Sequence, residues 1–198
     1  MRQVLVIHGG DAFKTYEEYL AWLKTTEIDD PRTRSKSWKS TFAEDLGPEY
    51  VVMAPRMPNH FNCRFEEWKI WFERHIPFFE DGIALVGHSQ GAIFLAKYLA
   101  TQTFPRRIGG TFLLAPPYDV PDEGYLENFI IDVPLTRLSE QGGKIFIYQS
   151  KDDPVVSPVE FEKYQKALPG ATYRLLDGRG HFNGSEFPEL VRDIQSLG

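Results

Sequence analysis

Six short runs of mostly apolar residues are the feature of this chain that most constrains its fold. They are Val4 to Ile7, Tyr50 to Met53, Ile83 to Val86, Thr111 to Leu114, Lys144 to Tyr148 and Thr172 to Leu176. Successive apolar residues are typical of parallel strands, because such strands bury both of their faces. The intervals between the runs are long enough to hold crossover helices. The sequence therefore predicts a three-layer α/β/α fold around a parallel sheet.

The intervals between these strands show helical spacing. In TYEEYLAWL, four apolar residues fall on one helical face, namely Tyr16, Tyr19, Leu20 and Leu23. Thr15 and Glu18 are spaced to form a capping box at the start of that helix. Further helices are predicted at Trp38 to Leu46, Phe65 to His75, Gln90 to Thr101, Pro158 to Leu168 and Phe187 to Leu197. Because no repeat or linker-like change of composition interrupts the pattern, residues 1–198 are predicted to form a single domain.

The overall charge argues against some classes of partner. The net charge of -6 disfavours nucleic acid, because binding to a phosphate backbone depends on a dense array of lysine and arginine. One basic cluster, Arg32, Arg34, Lys36 and Lys39, is predicted to be a solvated loop. No apolar run is long enough to span a bilayer, so a membrane is not an expected partner either.

The cysteine content and the first residues bear on the cellular compartment. Cys63 is the one cysteine, so neither an internal disulfide nor a cysteine-based zinc site is expected. The opening MRQVLVIHGG is typical of a strand rather than of a signal peptide. Both observations predict a cytoplasmic protein.

Polar residues cluster directly after four of the predicted strands. In an open parallel sheet, sites form at the carboxyl ends of the strands. The first strand is followed by HGGD, the third by GHSQG, the fifth by KDDP and the sixth by DGRGH. A nucleophile, an acid and a base therefore occur in that chain order.

Ser89 is the candidate nucleophile, in GHSQG between an apolar strand and an apolar helix. Gly87 and Gly91 would let strand and helix approach closely at a strained turn that exposes the serine hydroxyl. A glycine-bounded turn with an inert serine is the alternative.

His181 is the candidate general base, because a histidine in the glycine-rich loop after the last strand can reach over Ser89. The other four histidines are expected to have different roles. His88 should point away from the hydroxyl, His8 should shape its loop, His75 should lie on the surface, and His60 is a candidate for lining the pocket.

Three aspartates compete to orient the histidine. Asp153, after the fifth strand, is preferred because a carboxylate there can orient an imidazole that comes from the sixth strand. Asp119, after the fourth strand, is the chief rival, and Asp152 is the other. Asp152 is otherwise expected to be a turn or cap residue.

An acyl-transfer site also needs donors for the developing oxyanion. The backbone N–H of Gln90 is one candidate, because it lies at the start of the nucleophile helix, where the helix dipole favours negative charge. The loop after the first strand should supply the second donor, at Gly10 or alternatively at Asp11.

These four motifs together resemble the α/β-hydrolase superfamily: HGG, the nucleophile elbow GHSQG, the acid segment SKDDPVVS and the base segment GRGHF. The compact length and the GHF ending resemble the small serine hydrolases of the retinoblastoma-binding-protein type. The resemblance implies a parallel sheet in the order 2-1-3-4-5-6. It also implies hydrolysis of a small ester, thioester or amide through an acyl-enzyme, without a cofactor. A short cap-like segment is expected at 118–134.

Two further expectations concern partners and substrates. A catalytically weak or inactive protein-binding module is the alternative function, but the leucine-x-cysteine-x-glutamate motif associated with pocket-protein binding is absent around Cys63. The cap-like segment carries five acidic residues and no lysine or arginine, so neutral or cationic substrates are expected to be preferred. The acidic residues are Asp119, Asp122, Glu123, Glu127 and Asp132.

Overall fold

The computed structural model describes residues 1–28, 30, 32, 37–119 and 125–198 of the chain. Six strands form one sheet in the order β2-β1-β3-β4-β5-β6, and every neighbouring pair is parallel. The strands are β1 (Arg2–Ile7), β2 (Tyr50–Met53), β3 (Ile83–His88), β4 (Ile108–Leu114), β5 (Lys144–Ser150) and β6 (Thr172–Leu176). The predicted sheet order and strand direction are therefore confirmed.

Helices occupy the intervals between the strands. They are α1 (Tyr16–Thr25), α2 (Trp38–Leu46), α3 (Phe65–His75), α4 (Gln90–Thr101), α5 (Thr136–Gln141), α6 (Pro158–Ala167) and α7 (Pro188–Gln195). Short 3-10 turns occur at Ile76–Phe78 and Glu127–Phe129. Helix α5 was not predicted, because six residues are too few to show a helical period. The predicted ends of α6 and α7 are one and two residues too long at their carboxyl termini, and α7 begins one residue later than predicted.

The sheet separates two hydrophobic cores. On one face, α3, α4, α5 and α6 pack over strand residues such as Leu5 and Leu85. On the other face, α2 and α7 pack over the intervening residues, such as Val4 and Val86. Successive strand residues point to opposite faces of the sheet, and helices cover both faces. The residues on each face are therefore apolar, which accounts for the continuous apolar runs in the sequence.

Helix α1 differs from the other helices because none of its residues is buried. Its capping box is present as predicted, with Thr15 and Glu18 bonded to each other's backbone. However, the predicted apolar face does not enter a core, and Tyr16 is 63% exposed. Tyr19 and Trp22 instead contact Phe13, in the loop after β1. Helix α1 therefore covers this loop rather than the sheet.

The predicted basic loop is only partly a solvated loop. Arg32 is exposed and pairs with Asp30, whereas Arg34 and Lys36 lie outside the described residues. The prediction is wrong for Lys39, which lies on α2 with its amine 3.1 Å from Nδ1 of the buried His88. Across the described residues, no helix is long and apolar enough to cross a membrane.

Candidate active site

Ser89 lies at the junction of β3 and α4 in a backbone conformation that side chains rarely adopt. Its φ is 54° and its ψ is -120°. The conformation is held by bonds on both sides: Ser89 N donates to Leu114 O at 2.8 Å, and Ser89 O accepts from Ala92 N at 2.8 Å. Strain of this kind is found where a fold fixes a functional side chain.

The two glycines that flank Ser89 are needed for close backbone approach. A Cβ atom on Gly87 would lie 2.5 Å from Gly91 O and 2.6 Å from Ala92 Cα. A Cβ atom on Gly91 would collide with Ile7 O and would lie 2.6 Å from His8 O. Any side chain at either position would therefore force α4 away from the ends of β1 and β3.

Two free backbone donors accompany the serine hydroxyl. Within the described residues, neither Gly10 N nor Gln90 N donates a hydrogen bond. Asp11 N, the alternative donor, is already bonded to His60 O at 3.0 Å. Gly10, Ser89 and Gln90 line one cleft of about 260 Å³, here termed the serine cleft. Its remaining walls carry one carboxylate, that of Asp11, and are otherwise apolar: Ala12, Phe13, Trp22, Pro117, Tyr125, Leu126, Val155 and Val156.

His181 and Asp153 form a hydrogen-bonded pair. His181 Nδ1 lies 2.9 Å from Oδ2 and 3.1 Å from Oδ1 of Asp153, whose side chain is fully buried. Asp153 Oδ1 also accepts from Val155 N at 2.8 Å and Val156 N at 3.0 Å. The carboxylate is thus fixed in place, and it favours the tautomer in which Nδ1–H donates and Nε2 is left to accept a proton.

The loop that carries His181 is held from several directions. Trp38 Nε1 donates to Phe182 O at 2.8 Å, and Trp38 N donates to Gly184 O at 2.8 Å. Gly180 N donates to Asp152 Oδ1 at 3.2 Å. Asp152 therefore acts as a cap for this loop, in keeping with its expected role as a turn or cap residue.

His181 and Ser89 are not bonded directly in the described structure: no hydrogen bond joins Ser89 Oγ to His181 there. The loop that carries His181 nevertheless lies beside the serine turn, because the ring of His88, the neighbour of Ser89, is 4.9 Å from the His181 ring and bonds to His181 O at 2.8 Å. In enzymes without bound substrate, catalytic hydrogen bonds are often long and tighten only in the complex.

The remaining histidines have other partners. His8 Nδ1–H donates to Gly9 O at 2.6 Å while Nε2 accepts from Met57 N at 2.9 Å, so His8 shapes its loop. Burial and the nearby Lys39 hold the pKa of His88 well below its usual value. His75 bonds to Trp71 O at the end of α3, and His60 lines a second cleft beside Gly9.

Asp119 lies elsewhere. It pairs with Lys163, its side chain is 47% exposed, and its backbone N donates to the buried Glu160 at 3.1 Å. The structure therefore brings Asp153, and not Asp119, to His181.

The acidic residues of the cap-like segment are largely neutralised where they are described. Asp119 and Asp132 pair with Lys163 and Lys97, and Glu127 accepts from Phe65 N at 3.0 Å. Asp122 and Glu123 lie outside the described residues, as does the rest of 120–124. The described part of the segment therefore presents little unpaired negative charge that could repel an anionic substrate.

Three supporting residues were not found from the sequence. The Gln149 amide, fully buried, lies 3.4 Å from Asp153 Oδ2, while Trp38 holds the His181 loop and Glu160 holds the start of the cap-like segment. Each lies in an ordinary strand or helix pattern, so its hydrogen-bonding role gives no local signal. Cys63 is buried beside Gly10, and this burial raises the pKa of its thiol, so it does not compete with Ser89 as a nucleophile.

Comparison with known proteins first identifies the class. The structure of the ydeN gene product from B. subtilis superposes with a TM-score of 0.75 at 19% identity, over 100% of this chain and 98% of that one. A thioesterase domain from the curacin biosynthetic pathway superposes with a TM-score of 0.62 at 15% identity, over 98% and 91% of the two chains. These likenesses, together with the strand order, define a compact α/β-hydrolase fold.

The family then follows from sequence. The serine hydrolase RBBP9 of Rattus norvegicus is 28% identical over 152 residues, which cover 76% of this chain and 79% of that protein. The family model described as "Serine hydrolase" matches residues 32–189. The chain belongs to this serine hydrolase family.

Proposed function

We propose that this protein is a carboxylesterase-like serine hydrolase that cleaves a small ester, thioester or amide through an acyl-enzyme. The observation that carries the proposal is the serine cleft, where the strained Ser89 lies with two backbone donors, those of Gly10 and Gln90, that have no partner among the described residues. A hydroxyl beside two free N–H groups is the arrangement that acyl transfer requires. A plain turn needs no such donors.

In the first step, Ser89 Oγ attacks the substrate carbonyl carbon, and His181 Nε2 takes the hydroxyl proton. Asp153 holds the imidazole by its Nδ1–H and stabilises the imidazolium that forms. The negative charge on the carbonyl oxygen is received by Gly10 N–H and Gln90 N–H, the latter at the positive end of α4. Ser89, His181 and Asp153 are thus a catalytic triad in this proposal.

The tetrahedral intermediate then collapses. The bond to the leaving group breaks, and His181 returns the proton to the leaving oxygen, sulfur or nitrogen. In the second half, His181 removes a proton from water, which attacks the acyl-serine carbonyl carbon. The bond from that carbon to Ser89 Oγ then breaks, His181 returns the proton to Ser89 Oγ, and the acid is released. Every step uses side chains and backbone groups of this chain, and no cofactor takes part.

The size of the serine cleft supports a short acyl group. A cleft of about 260 Å³ with apolar walls suits a butyryl-sized chain rather than a long lipid. Trp22 and Tyr125, from α1 and the cap-like segment, form two of those walls.

The test is hydrolysis of p-nitrophenyl butyrate together with labelling by a fluorophosphonate probe. We expect wild-type protein to turn over the ester and to be labelled. Ser89→Ala should lose about 10⁶-fold in turnover, since the loss of a nucleophilic serine has that scale, and it should lose all labelling. Circular dichroism serves as the folding control. Wild-type protein that shows neither turnover nor labelling would instead favour the protein-binding module.

A further inference from the structure

A second cleft of about 570 Å³ lies on the other side of Gly9 from the serine cleft. It is here termed the basic cleft, and its lining includes Lys39, Arg56, His60, His88 and Asn183. No carboxylate lines it among the described residues. This is unusual in a chain whose net charge is -6.

Lys39 is partly buried, whereas Arg56, the other lysine or arginine that lines the basic cleft, is exposed. His88 Nε2–H donates to His181 O at 2.8 Å, so His88 Nδ1 is the atom that accepts from Lys39 Nζ at 3.1 Å. One ammonium proton is used in this bond, and the other donors have no partner among the described residues. Burial lowers the pKa of Lys39 to about 8, which means that the cation lacks a compensating negative charge.

Three further groups in the basic cleft have unused hydrogen-bonding capacity. Within the described residues, no hydrogen bond or ion pair is made by the guanidinium of Arg56, the ring nitrogens of His60 or the side-chain amide of Asn183. Four donor-bearing side chains thus line one cleft, and three of them, Arg56, His60 and Asn183, are exposed to solvent there. An anion would satisfy them, and arginine is well shaped for binding a carboxylate or phosphate.

The basic cleft adjoins the serine turn on the side of the His181 loop. Gly9 separates the two clefts, and a Cβ atom there would lie 3.2 Å from Ser89 Cβ and 3.6 Å from His88 Nδ1. The wall of the basic cleft includes Asn183, which belongs to the His181 loop, and His88, which bonds to His181 O. Because His181 returns its proton to the leaving group, the leaving group must lie beside it. The acyl group then occupies the apolar serine cleft, and the leaving group extends toward Lys39 and Arg56.

We propose that the basic cleft binds an anionic group carried by the leaving group of the substrate, so that the preferred substrates are esters, thioesters or amides of an anionic alcohol, thiol or amine. This inference rests on the proposed function and narrows its substrate class. It runs opposite to the preference expected from the acidic cap-like segment, whose described carboxylates are occupied by Lys97, Lys163 and the backbone.

The experiment compares two matched aryl esters, 4-carboxyphenyl butyrate and 4-carbamoylphenyl butyrate, at low salt. The esters share acyl group and shape, but only the first has an anionic leaving group. We expect wild-type kcat/KM to be about ten-fold higher for the carboxylate ester, which is the scale of one charge-assisted hydrogen bond. Arg56→Gln should reduce this carboxylate-to-carbamoyl ratio about ten-fold, and Arg56→Lys should restore part of it.

The control is Arg106→Gln, which removes the same charge from an exposed arginine just before β4, at the amino ends of the parallel strands, whereas the site lies at their carboxyl ends. It should leave the ratio unchanged. A wild-type ratio near or below one, or equal ratios in Arg56→Gln and Arg106→Gln, overturns the proposal. The proposed function is tested separately by Ser89→Ala, which should lose turnover of both esters. Absence of any turnover in wild-type protein would overturn the proposed function itself.

A third ester tests whether the position of the carboxylate in the substrate matters, or only its presence. Phenyl hemisuccinate carries its carboxylate on the acyl side, where it would face the apolar serine cleft. We expect its kcat/KM to be insensitive to Arg56→Gln. Equal sensitivity of hemisuccinate and 4-carboxyphenyl butyrate would place the effect in long-range attraction rather than in the basic cleft, and would overturn the assignment.

Discussion

The candidate site has two halves that are built in different ways. The nucleophile half, around Ser89 and Gly10, is fixed by backbone geometry and depends on the absence of side chains at Gly87 and Gly91. The acid–base half, around His181 and Asp153, is fixed by side-chain hydrogen bonds. The nucleophile half is therefore disrupted by added side-chain atoms, and the acid–base half by the removal of a hydrogen-bond donor or acceptor.

The largest effect in the acid–base half is expected for Asp153→Asn. The change keeps the shape but favours the wrong imidazole tautomer and removes the charge that stabilises imidazolium, so turnover of p-nitrophenyl butyrate should fall about 10⁴-fold. Asp152→Asn and Asp119→Asn should each cost less than about ten-fold, since neither carboxylate touches His181. A large loss in Asp119→Asn with little loss in Asp153→Asn would move the acid to the loop after β4.

The nucleophile half should respond to one added methyl group. Gly91→Ala places a Cβ against Ile7 O and His8 O, and overpacking of this kind costs about 3 kcal/mol. For a chain of 198 residues this corresponds to a fall in Tm of about 6–12 °C.

Gly170→Ala is the matched control, because its Cβ meets nothing within 4 Å and its φ is not positive. Its Tm should stay within about 2 °C of wild type, since exposed changes usually stay within about 0.5 kcal/mol. Similar Tm values for both variants would contradict the close-packing account of the elbow.

A smaller effect is expected from Trp38→Phe, which removes the indole bond to Phe182 O. Loss of one hydrogen bond to a buried carbonyl costs about 1–3 kcal/mol of stability. Because that carbonyl belongs to the His181 loop, kcat should fall about five-fold with KM little changed. Trp68→Phe removes a matched bond to Pro58 O outside this loop, and should lose similar stability with less effect on kcat. Equal kcat values in the two variants would show that Trp38 contributes to stability but does not position the His181 loop.

The smallest effect concerns pH and the basic cleft. Since burial lowers the pKa of Lys39 to about 8, its charge is present below that pH and is lost above it. The carboxylate-to-carbamoyl ratio should therefore fall, by about two- to three-fold, as pH rises from about 7 to 9.5. His8 and His88 have lowered pKa values and stay neutral over this range, and Arg56 and His60 complete the set facing Lys39. A ratio that is flat over this range would exclude Lys39 from anion binding.

Much of this architecture is readable from the sequence because its signals are local. Apolar runs specify β1 and β3, and the glycines around Ser89 report a close approach that only glycine permits. The loops at the carboxyl ends of the strands likewise reveal His181 and Asp153, because parallel strands bring their ends together. The sequence leaves Gly10 and Asp11 as alternatives for the second oxyanion donor. The bond from Asp11 N to His60 O, which the sequence does not reveal, favours Gly10.

The features that the sequence does not reveal depend on distant partners. Lys39 reads as part of a charged loop, and its burial beside His88 requires residues that are 49 positions apart to meet. Helix α1 has an amphipathic pattern, yet its apolar face stays exposed because the helix lies over a loop instead of the sheet. Periodicity reports that a face is apolar, but not which element lies opposite.

The bond between Trp38 and Phe182 bears on the order in which the parts of the candidate site form during synthesis. It joins residues that are 144 positions apart, so the chain must close a very long loop before the His181 segment is held. The nucleophile half needs only residues up to Leu114, whereas the acid–base half is supplied by β5, β6 and the loops at their carboxyl ends. A ribosome-bound chain therefore makes its strained serine well before the histidine that the proposed mechanism assigns as its base. Such long-range closure is slow, so the proposed triad should be assembled only after β6 and the His181 loop have been synthesised.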